Sequence, residues 1–162
     1  MQRSSFRSLP LVLLLVAACG KEGAAPAAAT GSGPAAPASD LTLWQLDHGI
    51  GPITEPLVLQ AIDRHEAAEG RKIFDTKCAS CHKPDVRYVG PALGGVVGRR
   101  APEYVMNMML APDTMVARHP EAKKLFATFM LQMPNLSLTP EQAREILEYL
   151  RTLPTPPATP AQ

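Results

Sequence analysis

Aromatic side chains are scarce in this 162-residue chain: one Trp, three Tyr and four Phe, or 5% of residues. No long stretch alternates β-branched with polar residues, so a sheet-based core of ordinary size would be short of material. Charge of one sign is lacking too. Sixteen basic and fifteen acidic side chains nearly cancel, which argues against the concentrated positive surface that DNA or RNA binding needs. The only sustained apolar run, residues 11–16, is too short to span a bilayer as a mature helix. Only three cysteines are present, too few for a disulfide scaffold or a four-cysteine zinc site.

What is present is organised in blocks. Arg3 and Arg7 precede the short apolar run, the pattern of an export signal spanning residues 1–18. Val16-Ala17-Ala18-Cys19 resembles a bacterial lipobox, which implies cleavage before Cys19, lipid on its thiol, and a membrane partner through that lipid. Gly20 after the cysteine argues, by the same resemblance, against retention at the inner membrane. Residues 20–40 are nearly all Ala, Gly, Pro, Ser and Thr, a composition that buries too little to offset ordering entropy. With Cys19 they read as a lipidated tether of about 25 Å mean span if flexible. One compact domain is expected over residues 41–153, and the proline-rich residues 154–162 read as a disordered tail.

Within that domain the signals are helical. Asp63 is a candidate N-cap with Glu66 three positions on, opening a segment through Gly70, Ile73 and Phe74. Pro102 can start a second helix through Tyr104, Met108 and Met109 that Pro112 stops, and Pro120 a third through Leu125 and Phe129. Thr139, Pro140 and Gln142 form a capping box and first turn for a last helix, with Ala143, Ile146, Leu147 and Leu150 on one face. The fold class expected is all-α, and no internal repeat is visible.

Cys78-Ala79-Ser80-Cys81-His82 is the C-x-x-C-H pattern of covalent haem attachment. Two thiols at this spacing can each form a thioether to one vinyl group of the same porphyrin, and the adjacent imidazole then lies under the iron. Other readings of the pair are a zinc half-site, a redox dithiol and a structural disulfide. Zinc would want a second ligand pair, whereas His48, His65 and His119 stand singly. A thioredoxin-like dithiol would want a βαβ context, whereas helix patterning precedes Cys78.

Around this motif the chain resembles class I monohaem c-type cytochromes. Gly70, Phe74, Cys78, Cys81 and His82 reproduce the family's G-x-x-x-F-x-x-x-C-x-x-C-H start. The resemblance implies a small cytochrome c fold, with helices wrapped around one haem c attached through Cys78 and Cys81. It also implies that Gly70 and Phe74 pack near Ile146, Tyr149 and Leu150. Gly90-Pro91-Ala92-Leu93-Gly94 is similar to the family's turn beside the proximal histidine, which implies that the Pro91 carbonyl accepts the outer ring N–H of His82. Met133-Pro134-Asn135-Leu136 resembles the methionine loop, which makes Met133 the expected sixth ligand and His82 the fifth. Met106, Met108, Met109 and Met130 fall within helix patterns and read as core filling. Met115, read as a loop residue, is the nearest competitor, and His119 would give a bis-histidine site.

By position, Asn135 is a candidate to hold the sulfur, and Arg99 and Arg100 are candidates to pair with haem propionates. Val86, Val89, Ala92 and Val96 are candidates for an apolar rim at the haem edge.

These residues imply a one-electron carrier with transient redox-protein donors and acceptors on the periplasmic side of a bacterial membrane. It would serve a respiratory chain ending in an oxidase or reductase, and would not be an enzyme. Thioether ligation favours the reduced iron, so a fairly oxidising carrier is expected. The alternative is a haem domain with an open or displaceable sixth ligand, acting as a peroxidase or reductase subunit or as a gas sensor. No distal acid/base set can be assembled around Met133 from the sequence. The lead-in from Leu43 to Pro56, with Arg99-Arg100-Ala101-Pro102-Glu103-Tyr104, is loosely similar to small cytochromes that accompany nitrous oxide reductases. That lead-in is expected to wrap the fold.

Overall fold

The computed structural model describes residues 40–155. The expected export signal, lipidated Cys19 and tether up to residue 39, and the tail from residue 156, lie outside the described residues. Seven helices and no strand occur among the described residues: α1 (Leu43–His48), α2 (Arg64–Lys77), α3 (Val96–Arg99), α4 (Pro102–Leu110), α5 (Pro112–Arg118), α6 (Pro120–Phe129) and α7 (Pro140–Thr152). None is long and apolar enough to cross a membrane.

The two longest helices start where their caps predict. Asp63 Oδ1 accepts the backbone N–H groups of His65 and Glu66 at 2.8 and 3.0 Å, which satisfies two of the orphan donors of α2. Thr139 Oγ1 accepts from Gln142 N, and Gln142 Oε1 from Thr139 N, both at 3.2 Å. The two helices cross at Gly70. A Cβ there would collide with the Glu145 carbonyl oxygen and lie 2.7 Å from Ile146 N, so only glycine permits this approach. Beside the crossing, Phe74 and Tyr149 meet with ring centroids 5.1 Å apart. Phe74, Ile146, Leu147 and Leu150 form the main core with Val105, Met106 and Met109 of α4.

Three expectations along the middle of the chain need correction. Pro112 does not simply end a helix; it occupies the first turn of α5, where a missing N–H costs nothing. Met115 is therefore helical and wholly buried, not a loop residue. Met130 is not core filling: it is the C-cap of α6, in the left-handed region at φ 52°, and its side chain is exposed.

The lead-in does wrap the fold. α1, opened by a Thr42–Gln45 capping box, runs into a strap clasped by α4. Asn107 donates to the carbonyls of His48 (3.1 Å) and Ile53 (2.9 Å) and accepts from Ile53 N (2.9 Å). Glu103 accepts from Leu57 N at 2.6 Å and bonds His48 Nδ1 at 2.8 Å. Further on, Arg151 of α7 donates to Gln60 O at 2.7 Å, its guanidinium held by the buried Glu148.

Candidate haem site

Helix α2 ends on the cysteine motif. Cys78 N–H still bonds Phe74 O at 2.8 Å, and Cys81 and His82 N–H groups both return to Cys78 O, at 3.0 and 2.9 Å. This continued turn draws the three motif side chains together. Both thiols are free, which sets the disulfide reading aside in this structure. Burial pushes the Cys78 thiol up to about 11, against the opposing charge of Lys77, so it sits neutral in an apolar wall. No group of three or more His, Cys, Asp or Glu side chains suited to a metal ion occurs among the described residues.

The loop after the motif folds back onto the imidazole. Gly90 N–H bonds Cys81 O at 2.8 Å and Leu93 N–H bonds Lys83 O at 3.0 Å. This carries Pro91 O to 3.0 Å from His82 Nδ1. With Nδ1–H donating there, Nε2 keeps its lone pair for a metal. Gly90 must be small: a Cβ would lie 2.5 Å from His82 Cε1.

A cavity open to solvent lies beside this imidazole in two lobes, with about 940 and about 620 Å³ of space, solvent at the mouth included. His82, Pro91, Met108, Leu125 and Met133 line both lobes. Cys78 borders the inner lobe and Cys81 the outer one. The walls are mostly apolar, which suits a porphyrin. Their polar exceptions beside His82 are Gln132 on the outer lobe and Arg99, Arg100 and Tyr104 on the inner one.

The sequence candidates separate on this geometry. Cys78, Cys81, His82, Pro91 and Met133 come together at the cavity. Met115 does not; its sulfur accepts Ile50 N–H at 3.1 Å in a second small core. His119 does not either, because its Nε2 bonds Leu46 O at 3.1 Å and its Nδ1 accepts Glu121 N–H at 3.2 Å. Asn135 is turned to its own loop, accepting Ser137 N–H at 2.9 Å. Arg99 donates to Gly94 O at 2.7 Å, and Arg100 to Glu121 Oε2 at 2.8 Å.

Met108, read from sequence as core filling, faces the cavity instead. Val86 and Val89 are exposed, whereas Ala92 and Val96 are half-buried and line the inner lobe. Sequence reasoning missed Tyr104 and Phe126 as parts of the site. The four-residue spacing of Tyr104 and Met108, and of Ala122 and Phe126, puts each pair on one helix face and was the available signal.

Comparison with known proteins agrees with this geometry. The cytochrome c family model matches residues 67–154, more than half of the chain. A cytochrome c-553-like protein of Synechocystis is 29% identical over 101 residues, covering 61% of this chain and 81% of that relative. A cytochrome c2 of Rhodopseudomonas palustris is 56% identical over a shorter stretch of 36 residues, 22% of this chain and 31% of the relative. Among solved structures, cytochrome c from Rhodothermus marinus superimposes with a TM-score of 0.63 at 44% identity, covering 66% of this chain and 92% of that one. The chain belongs to the cytochrome c family, as an all-helical, class I electron-carrier protein with one haem c bound covalently through the cysteine motif.

Proposed function

We propose that this protein is a closed His/Met electron carrier, lipid-anchored through Cys19 outside the cytoplasmic membrane of a bacterium. It passes single electrons from a redox-protein donor to a terminal oxidase or reductase of a respiratory chain. In this reading Cys78 and Cys81 would form the thioethers, and His82 and Met133 would ligate the iron. The haem supplies the ferric/ferrous couple. The residues do the rest: Pro91 O holds the imidazole by its Nδ1–H, and Gly90 leaves room for that ring. The apolar walls would keep water from a bound metal, and Met133 would supply a second ligand that leaves no open position for oxygen. The observation that carries the reading is that His82 and Met133 line the same two lobes, with His82 already oriented by Pro91.

The test is the ferric spectrum of holoprotein, followed through a redox titration. The expected wild-type result is a sulfur-to-iron charge-transfer band, one reversible one-electron wave and no carbon monoxide binding; Met133→Ala then loses the band and binds carbon monoxide. Survival of the band in Met133→Ala overturns the assignment. Its loss in Met108→Leu instead would move the ligand to Met108, the other thioether on both lobes. The second reading, an open or displaceable sixth position, draws support from an engineered Rhodothermus marinus cytochrome c described as bound to a carbene intermediate (TM-score 0.60, 44% identity). Ready carbon monoxide binding by the wild type would favour it.

A further inference from the structure

Met133 is carried by a segment with little of its own to hold it. Met130 N–H still bonds Phe126 O at the end of α6, and Ala143 N–H bonds Thr139 O at the start of α7. Between them, residues 131–138 make no main-chain to main-chain hydrogen bond among the described residues. The segment is also strained near both ends. Met130 at φ 52° and Ser137 at φ 49° are the two non-glycine residues in the left-handed region among the described residues, a conformation that costs energy and lasts only where the surroundings enforce it. Met133, Leu136 and Leu138 are half-buried against the main core. A segment built this way opens more easily than the helices on either side of it.

Two side chains from outside the segment fasten it, one on each side of Met133. Asp113, in the first turn of α5, accepts a hydrogen bond from Gln132 Nε2 through Oδ1. Lys77, the last residue of α2 and the neighbour of Cys78, donates from Nζ to Leu136 O at 3.3 Å. Both are exposed, and neither lines the cavity. The segment's remaining bond, from Ser137 N–H to Asn135 Oδ1 at 2.9 Å, is internal and ties it to no other element.

Resting on the His/Met reading above, we infer that Asp113 and Lys77 are positioning residues that act through the Met133 segment and set how often it opens to admit a small ligand from solution. Asp113 fixes the residue just before Met133, and Lys77 fixes the carbonyl next to the strained Ser137. The Lys77 bond also keeps the segment in register with the end of α2, where the cysteine motif begins. The two fastenings come from different helices and share no partner, so their effects on opening should multiply.

The experiment mixes ferric holoprotein with excess imidazole and follows the loss of the sulfur-to-iron band with time. At saturating imidazole the rate becomes that of segment opening. Asp113→Ala should open about fivefold faster than wild type and Lys77→Ala about threefold, as expected for loss of one exposed hydrogen bond. The double variant should open about fifteenfold faster. Asp113→Asn loses the charge but keeps a side-chain oxygen as acceptor, and should stay within about twofold of wild type. The band before mixing and the midpoint potential should match wild type in every variant, because the closed arrangement is the same. A purely stabilising role would lower Tm and leave the opening rate alone. Unchanged opening in both alanine variants overturns the inference, and so does an Asp113→Asn variant that opens as fast as Asp113→Ala. Absence of the band in the wild type before mixing overturns the His/Met reading itself, and this inference with it.

Discussion

At Gly70 the missing side chain sets the distance between α2 and α7, and hence the position of the motif at the end of α2. The obstacle to a Cβ is the Glu145 carbonyl and the Ile146 nitrogen, main-chain atoms in mid-helix that cannot rotate aside. Gly70→Ala must therefore push α7 away, with Phe74, Ile146 and Leu150 losing contact at once. Overpacking on this scale should cost about 3 kcal/mol, a fall in Tm of roughly 15 °C for a domain of this size. The check is thermal unfolding of haem-loaded protein, and a Tm within a degree or two of wild type would show that the crossing is looser than described. Gly70 and the cysteine motif were legible because their spacing along one helix is local. The place of Tyr104 in the cavity wall was not, since it depends on how α4 packs against the rest of the fold.

Among the elements, the long helices were readable and the short ones were not. Asp63 and Thr139 announce α2 and α7 through side chains that accept backbone N–H groups. α1 carries the same Thr-x-x-Gln box as α7, at Thr42 and Gln45, but six residues offer no apolar periodicity to notice. α3 has neither signal: four residues follow Gly95 at φ 63°, with no side-chain cap. The strap was foreseen as a wrapping segment, but its fastening could not be, because every bond crosses more than forty residues of sequence. Asn107, fully buried, makes three of those bonds, and Gly51 packs flat against its side chain. Asn107→Ala would leave His48 O, Ile53 O and Ile53 N without partners at once. About 3 kcal/mol should be lost, because stranded backbone groups each cost roughly 1–3 kcal/mol and relax together. Amide exchange at Ile53 should quicken by more than tenfold while the sulfur-to-iron band persists. Unchanged exchange at Ile53 would mean that the strap is held without Asn107, by Glu103, Met115 and Arg151.

For the whole molecule, encounter chemistry follows from where apolar surface stays uncovered. Arg87 ties the loop after the motif to the end of α6: it donates to Thr128 O at 3.1 Å and its guanidinium lies 4.3 Å from the Phe129 ring centroid. This brings exposed Val86, Tyr88 and Val89 beside exposed Phe126, Met130 and Leu131, and three of the six line the outer lobe. The sequence indicated the valine half of this rim only, because the α6 half depends on how that helix folds back. Formal charge offers little steering: the chain carries +1, and loss of Arg3 and Arg7 with a cleaved signal would leave −1. Contact through the rim should therefore be apolar, brief and nearly independent of salt. Electron self-exchange between oxidised and reduced copies, read from NMR line broadening, tests this without any partner protein. Leu131→Glu places a carboxylate at the rim of each copy, where like charges meet as the rims approach. Exchange should slow about tenfold, equivalent to about 1.4 kcal/mol, and recover with added salt, while the midpoint potential moves little. An unchanged exchange rate in Leu131→Glu would place the electron's exit elsewhere on the molecule.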